Sequence, residues 1–408
     1  MQQQRPHVFI LFLLTCAIVL PGCIGSRIHN PDPDQYIRSL KGEPGVSIDL
    51  AIIEFDDFGA FWDESQLFAA EELIQRRNAE VPGAVAVAVY VHGWQNDADP
   101  DRKNGDLNRF QEELHDLAIG FARARERGDE VPDHLVGVYM GWRGASTRVL
   151  PFNLMTFWNR RRAAERVASF DMRESFYRLT ESANSKRESS IVITGHSMGG
   201  LIVGKTIHPS VSTILLNAWS EGRPETPIDV GLVLLENPAL EAYSVHQVIK
   251  QLKKAGASTE LRSTDGSVEP GGPLVVAITS EADSVTKIAY PAGLIFDNMF
   301  RDTRDDHAEG EPSQWHLITR AVGHVDYLAS HDAYIDEAGE LRIEPIEGAY
   351  NDTPYWVIRC DSEISGSHGD IWNDRFRGLI GMLVGTHQVF DPNKQLWLVI
   401  DPPYESGQ

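Results

Sequence analysis

An α/β fold with a mostly parallel central sheet and helices on both faces is predicted by three observations. Short apolar runs rich in Val, Ile and Leu recur along the chain, such as AVAVAVYV at Ala84 to Val91 and VGLVLL at Val230 to Leu235. Runs of this kind, apolar at every position, suit strands buried on both faces of a parallel sheet. Segments with helical apolar spacing separate them, and the alternation persists to the end of the chain, which is the pattern of strands joined by crossover helices.

The elements follow in order. Met1 to His7 is polar and carries Arg5, and Val8 to Leu20 is apolar throughout. That is the build of a signal peptide, and it is short for a membrane-spanning helix. Leu20-Pro21-Gly22-Cys23 resembles a bacterial lipobox, with Pro21 an unusual middle residue, and Ile24 rather than aspartate follows. Residues 1–22 are therefore expected to be a lipoprotein-type signal peptide and Cys23 the lipidation site, which places the protein in a bacterial cell envelope. Where there is an outer membrane, Ile24 suits sorting to it. Gly25 to Val46, rich in Pro, Gly and polar residues, reads as a tether, so that residues 23–47 link the anchor to a domain spanning 48–408.

Within the domain, Asp49 to Phe55 reads as a first strand and Glu64 to Asn78 as a helix with Leu67, Ala70, Leu73 and Ile74 on one face. Ala84 to Val91 is a strand, Leu107 to Arg127 an amphipathic helix, Leu135 to Met140 a strand and Thr156 to Thr180 a helix. Ile191 to Ile193 begins a strand that runs into a helix near Gly200. Lys205 to Thr226 fits either a strand at Thr213 to Trp219 or a long helix bent at Pro209. Val230 to Leu235, Leu274 to Thr279 and Tyr355 to Arg359 complete the strands. Residues 296–341 form a charged and aromatic excursion, expected to be a lid or rim.

The net charge of −22 argues against a nucleic-acid-binding surface and against electrostatic docking on anionic lipid. The membrane partner is expected through the N-terminal anchor alone. Cys16, Cys23 and Cys360 make no metal-ligand spacing, and Cys360 reads as a buried core thiol. Asp97, Asp99 and Asp101 have calcium-loop spacing, but Arg102 stands where glycine is needed and Asn108 where a bidentate glutamate is needed. No metal and no cofactor is expected.

The chemistry centres on Gly195-His196-Ser197-Met198-Gly199, directly after the Ile191 to Ile193 strand and before a helix. Strand, tight turn with a central serine, and helix form a nucleophile elbow, which exposes the serine oxygen at the carboxyl edge of the sheet. The Met198 N–H, at the helix N-terminus, is one candidate oxyanion donor. The second is the Trp94 N–H, in Val91-His92-Gly93-Trp94 after an inner strand. His92 reads as a side chain bonding the loop backbone. A serine nucleophile needs a histidine base and a carboxylate to orient it, in the chain order Ser, acid, His. Asp283, just past Leu274 to Thr279, is the first choice of acid and Glu281 the second. His368, between a strand and a helix, is the first choice of base and His324 the second. His307, His331 and His387 read as surface histidines. Phe152, Phe157 and Trp158 read as core packing or as the wall of an apolar pocket.

On these residues the chain resembles the α/β-hydrolase superfamily from about Asp49 onward, through VYVHGW, GHSMGG, Asp283 and His368. VYMGWRG at Val138 to Gly144 and ENPALEA at Glu236 to Ala242 are similar to a group of bacterial hydrolases. The resemblance implies an eight-stranded core with Ser197, Asp283 and His368 as catalytic triad and Trp94 and Met198 as oxyanion hole. The expected function is hydrolysis of carboxylic esters or related acyl bonds, through an acyl-enzyme on Ser197, with a small-molecule ester or lipid-like substrate. The alternative is a catalytically silent hydrolase-fold scaffold lipoprotein of the envelope.

Overall fold

The computed structural model describes residues 27–146, 156–186, 188–221, 225–227, 231–263, 268–270, 272–303, 310–348, 352–387 and 394–399. The signal peptide, Cys23, Phe152 and His307 lie outside the described residues.

A ten-stranded sheet organises the domain, in the order β1-β2-β4-β3-β5-β7-β10-β13-β11-β12. Its strands are β1 (Ile37–Glu43), β2 (Val46–Glu54), β3 (Val85–Val91), β4 (His134–Gly141), β5 (Ser190–His196), β7 (Leu232–Glu236), β10 (Val275–Ser280), β11 (His331–Ile335), β12 (Leu341–Pro345) and β13 (Tyr355–Cys360). The eight strands from β2 to β11 in that order run parallel, and the two edge strands β1 and β12 pair antiparallel. The inner strands are the continuous apolar runs: every residue of β4, β7 and β10 is buried.

Helices cover both faces. α1 (Ser65–Glu80), α3 (Phe157–Val167), α4 (Phe170–Asn184), α5 (Met198–Glu221) and α6 (Ala242–Lys254) bury one face, around Val89, Ile193, Leu201 and Leu235. α2 (Asp106–Glu126) closes the other face beside β2 and β4, and α8 (Asp374–His387) closes it beside β7, β10 and β13. α7 (Tyr290–Asn298) follows a π-helical turn, Val285–Ala289, on the same side as α3. A second, four-stranded sheet, β6-β14-β8-β9, is built from β6 (Glu225–Pro227), β8 (Ser258–Ser263), β9 (Val268–Pro270) and β14 (Lys394–Val399).

Several expectations are corrected. The described part of the supposed tether is folded: Pro33–Tyr36 is a helical turn, and β1 forms a hairpin with β2. Pro44 and Gly45, read as linker composition, make the hairpin turn, with Gly45 at φ 79°. Asn30 is fully buried and bonded to Glu54. β1 has no fully buried residue, so it lacks the apolar run that marks the inner strands. The expected helix over 156–180 is two helices, interrupted at Ala168 and Ser169. The ambiguous Lys205 to Thr226 stretch continues α5 through Pro209 to Glu221. Residues 296–341 are not a lid alone: β11 and the first residue of β12 extend the central sheet, which has ten strands rather than eight. His331 is buried against Trp356, with ring centroids 4.0 Å apart, and is not a surface histidine. Cys360 is a free buried thiol, its pKa pushed up to about 12 by burial. Among the described residues no helix is long and apolar enough to cross a membrane.

Candidate active site

Ser197 stands at the junction of β5 and α5, at the carboxyl edge of the sheet. Its φ is 56°, in the left-handed region that L-residues avoid at a cost of about 1–2 kcal/mol. Its neighbours hold it there: the Ser197 N–H donates to the Glu236 carbonyl at 2.9 Å, and its own carbonyl accepts from the Ala239 N–H at 2.9 Å. The glycines around it permit the approach of β3. A Cβ on Gly199 would lie 2.0 Å from the Val91 carbonyl oxygen, and one on Gly93 would lie 3.1 Å from the Ser197 Cβ.

The structure brings Ser197, His368 and Asp283 into one hydrogen-bonded chain. His368 Nε2 is 2.7 Å from Ser197 Oγ, and His368 Nδ1 is 2.8 Å from Asp283 Oδ2. Asp283 has a fully buried side chain. Burial pushes its pKa up, but hydrogen bonds from His368 and Thr286 outweigh that and hold it below the usual carboxylate value. Its other oxygen accepts from the Val285 and Thr286 backbone N–H groups at the start of the π-helical turn, at 2.9 and 3.1 Å. An ionised Asp283 accepts only, so His368 donates from Nδ1 and its Nε2 is free to accept the Ser197 proton.

The two runner-up residues lie elsewhere. Glu281 is exposed at the end of β10. His324 sits behind the acid: Thr286 Oγ1 donates to Asp283 and accepts from His324 Nε2 at 2.9 Å. Burial lowers the His324 pKa to about 4, so it is neutral.

Reading the sequence misses the residues that seat His368. Asn237, directly after β7, is fully buried with φ 42°. Its Nδ2 donates to the His368 carbonyl at 3.0 Å, and its Oδ1 accepts from the Ser280 N–H at 2.9 Å. One side chain thus joins the ends of β7 and β10 to the histidine loop. His196 Nε2 donates to the same carbonyl at 2.9 Å. Burial, and then the nearby His368, depress the His196 pKa to about 3. It therefore stays uncharged beside an imidazole 5.1 Å away. The legible signal for Asn237 is a polar residue wedged between a buried apolar strand and Pro238.

On the other flank, the Val91-His92-Gly93-Trp94 loop is braced from below. His92 Nδ1 donates to the Gly93 carbonyl at 2.9 Å, and its Nε2 accepts from the Trp142 N–H at 3.0 Å. Burial lowers its pKa to about 4, which keeps this neutral tautomer. Asp106, at the start of α2, takes hydrogen bonds from the Gly93 backbone and, at 2.7 Å, from Asn96 Nδ2. Burial raises its pKa to about 6. Gln95 at φ 68° turns the chain after Trp94. Among the described residues no protein group accepts from the backbone N–H of Trp94 or of Met198. Met198 is the first residue of α5, where N–H groups have no intrahelical partner. The Trp94 ring packs edge-on against Phe157 at 5.0 Å, and its buried Nε1 has no hydrogen-bond partner among the described residues.

The calcium-like spacing instead places Asp97 3.6 Å from Arg102 Nη1. Among the described residues no cluster of His, Cys, Asp or Glu is arranged to hold a metal ion. No family model, no curated protein and no solved structure matches this chain.

Proposed function

We propose that this protein is a serine hydrolase of the α/β-hydrolase type, lipid-anchored through Cys23, that cleaves carboxylic esters through an acyl-enzyme on Ser197. The observation that carries the reading is the unbroken chain from Ser197 Oγ through His368 to Asp283, at 2.7 and 2.8 Å. His368 Nε2 takes the Ser197 proton as Oγ bonds to the ester carbonyl carbon. The tetrahedral oxyanion accepts from the Trp94 and Met198 N–H groups. As the intermediate collapses, the C–O bond to the alcohol breaks and His368 returns its proton to the leaving oxygen. Water then repeats the sequence on the acyl-serine and releases the acid. Asp283 stays ionised and steadies the imidazolium. No step calls on a cofactor.

The left-handed Ser197 backbone and the parallel sheet beneath it support the same reading. The silent-scaffold alternative would be favoured by a His368 out of reach of Ser197, and its Nε2 is within hydrogen-bond distance. The test is covalent labelling of the full chain with a fluorophosphonate probe, wild type beside Ser197→Ala. The expected result is labelling of the wild type alone. A folded wild type that takes no label, or a variant that labels equally, overturns the assignment.

A further inference from the structure

The domain joins its N-terminal segment on the same sheet edge that carries Ser197. The His29 and Asn30 N–H groups both donate to the Glu54 carboxylate at 2.8 Å. Asn30 Nδ2 donates to the Ala98 carbonyl at 2.9 Å. Glu54 is the last residue of β2, and Ala98 lies in the loop after β3. Arg27 therefore sits at the carboxyl edge, where it lines a small crevice with Trp62 and Trp142. In the order β2-β4-β3-β5 this is three strand spacings, about 14 Å, from the strand that ends at Ser197.

Cys23 precedes Arg27 by four residues, and four residues of chain reach at most about 14 Å. An acylated Cys23 would thus hold the carboxyl edge, and not the opposite one, close to the bilayer. The folding of residues 27–46 into the domain removes the slack that a long tether would have supplied.

That edge carries an uncovered apolar helix face. Ile288 in the π-helical turn, Ile295 in α7 and Met299 just past it are exposed, and beside them Phe296 is 77% and Phe300 94% exposed. The opposite side of α7 is buried: Tyr290 stacks on Trp158, and Asn298 Nδ2 donates to the Ile318 carbonyl at 3.4 Å. Both ends of α7 are fixed at the carboxyl edge. The turn leading into it starts at Asp283, and the segment after Ile318 bridges at Ala321 to Glu241, just past β7. Exposed aromatic and aliphatic side chains in one stripe mark an interaction surface. Held this close to a bilayer, such a stripe is placed to bury its apolar side chains in the membrane interface.

We propose that the apolar stripe formed by the π-helical turn, α7 and the two residues after it docks into the lipid bilayer that anchors Cys23, so that the Ser197 site opens toward the membrane and takes acyl esters presented by it. The docking rests on the lipid-anchor part of the function proposed above, and the substrate class on its hydrolase part. Trp158 couples the two regions: it stacks on Tyr290 of α7 and packs against Phe157, which packs against Trp94 of the oxyanion loop.

The test uses the full chain, reconstituted into vesicles of phosphatidylethanolamine and phosphatidylglycerol. Ile288→Cys and Phe300→Cys are each labelled with an environment-sensitive fluorophore, with Glu130→Cys, exposed just before β4 at the amino edge, as control. Cys360 is buried and does not compete. Vesicles doped with headgroup-proximal nitroxide lipid are expected to remove most of the emission from the two probes that flank α7 and little from the control. Equal quenching at both edges, no quenching at α7, or a chain that fails to float with the vesicles overturns the docking. Fluorophosphonate labelling in the same samples reports on Ser197 separately. Quenching without labelling keeps the docking and discards the hydrolase reading, and labelling without quenching does the reverse.

Discussion

The two flanks of Ser197 are built from different materials. Toward β7, β10 and β13 the site is made of side chains: His368, Asp283, Thr286 and Asn237 touch one another through hydrogen bonds. Toward β3 and β4 it offers backbone N–H groups, and the side chains there, His92 and Asp106, only hold the loop. The carboxyl groups differ as well, though not flank by flank, since Glu236 ends β7 on the same side as Asp283. Asp283 is held ionised by its donors, whereas burial pushes Asp106 up to about 6 and Glu236 up to about 8. One ionised carboxylate touches His368, and the nearby His92 and His196 stay neutral. In the proposed reaction, a site of this form would concentrate its favourable field on the imidazolium formed at His368.

The sharpest way to break this comparison is to exchange the two acids for amides. Asp283→Asn removes the negative charge and leaves an amide N–H₂ where His368 Nδ1–H needs an acceptor, which favours the wrong tautomer. Ester turnover is expected to fall on the order of 10⁴-fold. Asp106→Asn keeps most of the loop hydrogen bonding and is expected to cost about tenfold or less, since its role is positional. Steady-state kinetics on a chromogenic ester read both, and equal losses would mean that the two flanks do not differ as described.

Asn237→Ala comes next in size. It frees the His368 carbonyl from one donor and leaves the Ser280 N–H without its acceptor. Misplacing the imidazole by about 1 Å costs roughly 100-fold, and His196 retains part of the seat, so a loss of about 10- to 100-fold in kcat with KM held is expected. A parallel rise in KM would assign Asn237 to substrate binding rather than to seating the base.

The legibility of the two flanks follows from the same difference. The grouping of Ser197, Asp283 and His368 is legible because chemistry restricts their types and the topology restricts where they fall, in loops that follow buried apolar strands: Ser197 directly past β5, Asp283 three residues past β10 and His368 eight residues past β13. Trp94 and Met198 are candidates by position alone, since a backbone N–H leaves no mark on residue type. Asn237, Thr286 and Asp106 were not read, because their work is set by long-range contacts: Asn237 meets His368 across 131 residues. The inner strands announced themselves by continuous apolar runs. The edge strands β1 and β12 did not, because a half-buried strand needs no such run, and both went unread. The small second sheet joins strands far apart in sequence, with β14 between β6 and β8, and local pattern carries no signal for that pairing.

The smallest predicted effect tests, through stability, the buried carboxyl group at the β7 end of the site. Glu236 ends β7, directly before Asn237, and its backbone carbonyl accepts from the Ser197 N–H. Its side chain is buried, and burial, with repulsion from Glu113 and Asp106, raises its pKa to about 8. In the unfolded chain a glutamate titrates near the ordinary value of about 4.5. Below that pH both states are protonated and the group favours neither. As pH rises from about 4.5 to about 8 the unfolded state loses the proton first, so stability falls across that window. A neutral isostere is free of this penalty. Glu236→Gln is therefore expected to match the wild type below pH 4 and to exceed it by about 2 kcal/mol near pH 8, allowing for relaxation around the buried group. Urea unfolding at the two pH values measures the difference. A gap that is largest at pH 4, or absent at both, would show that Glu236 is ionised in the fold and that a second charged carboxylate lies beside Asp283 on the β7 side of the site.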